Sequence, residues 1–119
     1  MHRPSCLDAA REALRLADAS PAEAVALASA TVRRARRQGD ATARAVAERA
    51  WGQALRHRGD LDRALTHLQR SLRCAEEAGD APTAAAARLT VAFLLAERGR
   101  AQHALDELDR VVDLSLIHI

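Results

Sequence analysis

The chain has 119 residues, 18 basic against 16 acidic, for a formal charge of +2. Its apolar runs fall short of the roughly 20 residues of a membrane span, its two cysteines cannot build a disulfide framework, and so balanced a charge gives no case for nucleic acid. With 29 alanines and 16 leucines, one Trp, one Phe, no Tyr and every basic residue an arginine, the composition predicts an all-helical chain. The residues ahead of Asp8 and Arg11 contain no apolar stretch of the secretory kind. Two free thiols without an export signal fit a reducing compartment, so a cytoplasmic location is expected.

In chain order, a first helix is expected from about residue 5. Ser20-Pro21-Ala22-Glu23 then reads as the start of a second: an N-cap serine, a proline at the first helical position and a capping-box glutamate. Four glycines follow at 39, 59, 79 and 99, a constant step of 20 residues, and three of them precede aspartate: Gly39-Asp40, Gly59-Asp60 and Gly79-Asp80. Gly closes a helix in the left-handed conformation, and the next Asp accepts free N–H groups of the following helix. The fourth, Gly99-Arg100, is expected to be a corner of the same kind. Between corners the apolar residues keep a helical period, as in Ala43, Val46, Ala47, Ala50, Trp51, Ala54 and Leu55, then Ala64, Leu65, Leu68, Leu72 and Ala75, then Ala101, Ala104, Leu105, Leu108 and Val112. Residues 81–98 are apolar over more of their circumference and are expected to be covered on two sides. One-residue corners force neighbouring helices to lie antiparallel. The pattern predicts about six helices in hairpins at about 5–38, 41–78 and 81–113, the last helix cut short, forming one repeat domain over 5–113. Residues 21–60 align on 61–100 without gaps, with the glycines in register, which indicates a stacked array of helical hairpins. A closed helical bundle is the alternative architecture.

The stretch Ala50–Leu72 resembles the tetratricopeptide repeat. Trp51-Gly52 with Leu55 looks like that family's large-small pair and the bulky residue one turn on. Gly59-Asp60-Leu61-Asp62-Arg63-Ala64-Leu65 is similar to its corner and second helix, and Leu68, Ser71 and Leu72 fall at later packing positions. A second copy reads Val91-Ala92, Leu95, Gly99, Ala104, Leu105, Leu108 and Val111, and an earlier copy is recognisable between Ala24 and Gly39. The unit here is 40 residues against the family's usual 34, and Glu76 stands where the family often has proline. The resemblance implies an all-α solenoid of antiparallel hairpins, with Gly39, Trp51, Gly52, Gly59, Ala64, Gly79, Gly99 and Ala104 as its structural positions. Trp51 is expected to be the largest core contributor, and Gly52, which costs about 1 kcal/mol in mid-helix relative to Ala, to mark where a neighbouring helix crosses. The resemblance also implies a concave groove lined by first helices. By position this gives Arg49, Gln53, Arg56 and His57 as a basic wall, with Leu89 and Phe93 as an apolar one, suited to an extended segment bearing an acidic group.

The last six residues, Leu114-Ser115-Leu116-Ile117-His118-Ile119, hold the only two isoleucines of the chain. They are what CTG-TCT-CTT-ATA-CAC-ATC encodes, which resembles the transposon end used in sequencing libraries. The reading is a translated adapter, a non-native tail over 114–119, with native sequence ending near Asp113 and continuing in the natural protein. A genuine apolar terminus is the alternative.

No catalytic constellation is found. The run Arg33-Arg34-Ala35-Arg36-Arg37 reads as a solvated helix end that complements the macrodipole, since no aromatic residues interleave for base stacking. His57, His67 and His103 are expected to be solvent-exposed. No His, Cys, Asp or Glu grouping has metal-ligand spacing, His67 and Cys74 are a poor nucleophile pair, and every glycine is isolated, so there is no phosphate loop. No cofactor, no metal and no active site are expected within these residues.

The expected role is a protein–protein interaction scaffold whose partner is a protein or peptide, an acidic one suiting the basic wall, with no membrane and no nucleic acid contact. The Ala/Arg-rich hairpins with Gly-Asp corners look similar to those preceding a caspase-like CHAT protease domain in high-GC bacteria, which implies an N-terminal fragment with the catalytic domain downstream. The alternative is the signal-sensing repeat region of a bacterial transcriptional regulator.

Overall fold

A computed structural model describes residues 3–117. Its elements are five α-helices: α1 (Cys6–Leu16), α2 (Pro21–Gln38), α3 (Ala41–His57), α4 (Leu61–Ala78) and α5 (Ala81–Ile117). There is no strand among the described residues. The all-α, hairpin-stacked architecture expected from the sequence is therefore present. Helices α1 and α2 form one antiparallel hairpin, α3 and α4 a second, and α5 packs on α4 as the first helix of a third unit. Helix α3 is central, touching all four others, whereas α2 and α4 do not touch each other.

Each Gly-Asp corner is built twice over. Gly39, Gly59 and Gly79 take φ of +64°, +81° and +70°. The following aspartate then closes one helix with its backbone and opens the next with its side chain. The amides of Asp40, Asp60 and Asp80 donate to the carbonyls of Ala35, Leu55 and Ala75 at 2.9, 3.0 and 2.9 Å, a six-to-one closure. Their carboxylates accept from the amides of Ala43, Arg63 and Thr83 at 3.0, 3.3 and 3.1 Å. The Thr83 hydroxyl also donates to Asp80, at 2.6 Å, and this bond together with the amide holds the Asp80 carboxyl below the usual carboxylate range.

The start of α2 differs from expectation. Ser20 occupies the N-cap but its side chain makes no capping hydrogen bond. Pro21, with its φ fixed by the ring, starts the helix instead.

The larger correction is at Gly99. No corner forms there: α5 runs unbroken for 37 residues, so there are five helices where six were expected, and the hairpin expected over 81–113 is a single rod. The physical reason lies in the next residue. Arg100 has no acceptor to cap a new helix, and a helical glycine costs only about 1 kcal/mol, so nothing stops the chain. Residues 99–110 are exposed along the whole rod, Ala104 included, and Leu105, Leu108 and Val112 lie in solvent. The expectation that residues 81–98 are covered on two sides also fails. Ala84, Ala87 and Leu94 are buried, while Leu89, Phe93 and Leu95 stay exposed. The molecule is elongated in consequence, 70 × 29 × 21 Å, with a radius of gyration of 17.8 Å against the roughly 13–14 Å of a compact chain of this length. Of the tail expected to be non-native, the backbone is described to Ile117, and His118 and Ile119 lie outside the described residues.

The core of the first three helices is a ladder of small residues. Cys6, Ala35 and Ala43 form one rung, then Ala10, Val32 and Ala47, then Ala13, Ala28 and Ala50, then Ala17, Ala24 and Ala54. Each rung takes one residue from α1 or its C-cap, one from α2 and one from α3. Larger side chains such as Leu14, Leu27 and Val25 pack at the rims. The second hairpin uses bulkier residues: Leu55, Ala64, Leu68 and Leu94 form its main cluster, with Ala45, Cys74, Ala75 and Ala84 at the other end.

The two kinds of glycine should respond oppositely to alanine. Gly79→Ala places a Cβ in the left-handed region and should cost roughly 1–2 kcal/mol, although nothing lies within 4 Å of that Cβ. Gly99→Ala should gain about 1 kcal/mol of helix propensity and raise helicity. Circular-dichroism melts of the two variants read this, and a destabilised Gly99→Ala would mean that the chain turns there.

Candidate functional site

Helix α3 divides its circumference among its neighbours. Ala43, Ala47, Ala50 and Ala54 face α1 and α2. Ala45, Glu48, Gly52 and Leu55 face α4: the Ser71 hydroxyl donates to the Ala45 carbonyl at 2.7 Å, and a Cβ on Gly52 would sit 2.6 Å from Leu68 Cγ and 3.1 Å from the Ala64 carbonyl oxygen. The helix crossing expected at Gly52 is thus present, and it is α4 that crosses.

Arg49, Gln53 and Arg56 form the remaining row. Arg56 forms an ion pair with Glu97 of α5, its Nε at 3.1 Å from the carboxylate. His57, at the end of the helix, lies 2.7 Å from Asp18, just past α1. These ties place the row on the first-helix side of the stack, between α1 and α5. Arg49 and Gln53 are half-buried, and Arg49 Nε and Gln53 Oε1 are sealed from solvent without a hydrogen-bond partner among the described residues. On α5, Leu89 and Phe93 stand one turn apart at 61% and 54% exposure, and neither joins a core cluster. The six groove residues therefore fall into two sets, a polar row on α3 with two of its members already paired, and an apolar pair on α5.

Sequence reasoning missed a buried polar cluster on the α4-facing side of α3. Glu48 is fully buried, and its Oε2 lies 3.1 Å from Nδ1 of His67 on α4. His67 is 5% exposed, which corrects the expectation that it faces solvent. Its ring stacks on Trp51, centroids 3.9 Å apart and planes 20° from parallel. The other carboxyl oxygen of Glu48, Oε1, is buried without a hydrogen-bond partner among the described residues. Trp51 itself is half-buried and bridges three clusters, so it packs in the core rather than offering a ligand platform. A signal for the cluster existed: Glu48 lies three and four residues from Ala45 and Gly52, and His67 shares a stripe with Ala64 and Ser71. Polar residues inside an apolar stripe are paired when the stripe is buried.

Among the described residues, no group of three or more His, Cys, Asp or Glu is placed to hold a metal ion, and no helix is long and apolar enough to cross a membrane. His103 is exposed on the outer half of α5, as expected. Cys6 and Cys74 are free and buried, and burial pushes the Cys74 thiol up, opposed by the nearby Arg44.

A family profile described as tetratricopeptide repeat matches residues 43–116. The chain belongs to the tetratricopeptide repeat family. No curated protein matches it, and no solved structure does. The match takes in α3, α4 and most of α5, the segment where the large-small pair Trp51-Gly52 and the facing Ala64 stand. The tetratricopeptide register also accounts for the contacts of α3, which as the first helix of its repeat packs on both helices of the preceding hairpin. Tetratricopeptide arrays mediate protein–protein interaction, and this chain is an interaction repeat domain of that kind.

The Glu48–His67 pair is a weak point in this tetratricopeptide core, because a buried polar group that loses its hydrogen-bond partner is left unsatisfied. His67→Ala should cost roughly 3–5 kcal/mol in urea unfolding, and Glu48→Leu combined with His67→Leu should recover most of the loss. A single-variant cost below about 1 kcal/mol, the range of an exposed pair, would show that the pair is not sealed from water.

Proposed function

We propose that this chain is a non-catalytic docking module that holds an extended peptide on its first-helix face. The observations that carry the reading are an exposed apolar pair on α5 (Leu89 and Phe93) and a half-buried arginine on α3, Arg49, with no carboxylate within ion-pair distance among the described residues. An extended segment placing apolar side chains on α5 and a carboxylate toward Arg49 satisfies both. Arg56 and His57 contribute less than their charges suggest, since Glu97 and Asp18 already hold them. On this reading the module works in the cytoplasm and serves a larger bacterial protein, with a CHAT-type protease domain as the catalytic part. The Gly-Asp corners and the Ala/Arg-rich hairpins support that association.

The test uses a displayed random-peptide library panned on the purified chain. Selected peptides should carry an acidic residue beside apolar ones, and their affinity should fall about tenfold, or 1.4 kcal/mol, with Phe93→Ala and with Arg49→Glu. Peptides whose affinity survives both substitutions would contradict the groove.

A further inference from the structure

Helices α2 and α4 do not touch, and the first turn of α3 floors the cleft between them. Two adjoining cavities lie there, of about 190 and 260 Å³, sharing Arg44, Cys74 and Glu77 as a common wall. Arg36 of α2 lines the first, and Arg70 and Arg73 of α4 line the second. Four arginines from three helices thus border one cleft. Among the described residues none of the four has a carboxylate within ion-pair distance. Arg44 Nε is sealed from solvent and has no hydrogen-bond partner. Of the two acidic residues in the wall, Asp40 is already committed to capping α3 through the Ala43 amide, which leaves Glu77 as the one carboxylate facing the arginines without a capping role.

We infer that this cleft, on the second-helix side and away from the first-helix face, binds the oxyanion of a phosphate monoester or of free phosphate. Arginine forks match phosphate oxygens in bidentate geometry, and a dianion satisfies several such forks at once, where a single carboxylate satisfies one. An anion in the first cavity gives Arg44 the counter-charge that no carboxylate within ion-pair distance supplies among the described residues. The site is independent of the peptide groove, so either can fail without the other. It also gives part of the Arg33–Arg37 run a role: Arg36 enters the cleft wall, while Arg34 is turned to the Pro4 carbonyl at 2.7 Å.

The experiment titrates inorganic phosphate, and separately O-phosphoserine, into the purified chain at constant ionic strength, with acetate as the control anion. Binding is read by calorimetry and by the rate at which iodoacetamide modifies Cys74, located by peptide mapping. Saturable phosphate binding that slows Cys74 modification is expected, weakened about tenfold by Arg44→Gln and by Arg73→Gln and left unchanged by Arg58→Gln. Arg73 is exposed, so its variant keeps the test valid should Arg44→Gln unfold. Tighter binding of O-phosphoserine assigns a monoester, and equal or weaker binding assigns free phosphate. A response that does not saturate, equal binding of acetate, or wild-type affinity in Arg73→Gln would overturn the site.

Discussion

Three helices can share one axis of contact only where their side chains leave room, and in this chain alanine and glycine make that room. Four rungs of small residues tie α1, α2 and α3 together, nine of their twelve members being alanine fixed in place with no exposure. Alanine loses no rotamer freedom when buried, so a rung is held by close backbone approach and dispersion more than by large apolar area. The bulkier residues are displaced to the rims, which is why Leu14, Leu27 and Val25 are half-buried. Between α3 and α4 the same requirement falls on Gly52, against which Leu68 and the Ala64 carbonyl press.

Close approach and one-residue corners depend on each other. A Gly-Asp turn reverses the chain without a loop, so the following helix starts beside the one just ended. It can stay there because its contact face is small. Where the aspartate is missing, at Gly99-Arg100, the reversal fails and α5 continues as a rod whose residues 99–110 are exposed. Leu89 and Phe93 are exposed on the inner half of the same helix, which is tied to α3 through Arg56 and Glu97. The proposed groove is thus shaped by the register of the repeat.

Much of this was legible because the signals are local. The corners at 39, 59 and 79 combine a positive-φ residue with a cap acceptor in adjacent positions, and both act within one turn of helix. The apolar periods gave α3 and α4, and the Trp51-Gly52 pair with Ala64 gave the family. What failed depended on chemistry that spacing hides. Glycine at 99 keeps the 20-residue beat, but the beat carries no acceptor, and the change from Asp to Arg was the deciding letter. Ser20 has the identity of a cap without its hydrogen bond, because Pro21 already starts the helix. His67 and Glu48 are polar by type but sit on stripes that α3 and α4 bury against each other, so each is paired with the other across the interface. The cleft lined by Arg36, Arg44, Arg70 and Arg73 gathers residues up to 37 positions apart, beyond the reach of any local pattern.

The stacked array depends on close packing at small residues, and Gly52→Ala measures that most directly. Helix propensity alone would make this change stabilising by about 1 kcal/mol. The packing described here places the new methyl 2.6 Å from Leu68 Cγ and 3.1 Å from a backbone oxygen that cannot rotate away. Chemical denaturation should therefore show a net loss of about 1–3 kcal/mol. A variant as stable as the parent, or more so, would mean that α3 and α4 lie farther apart than described, and the stacked array would lose its physical basis.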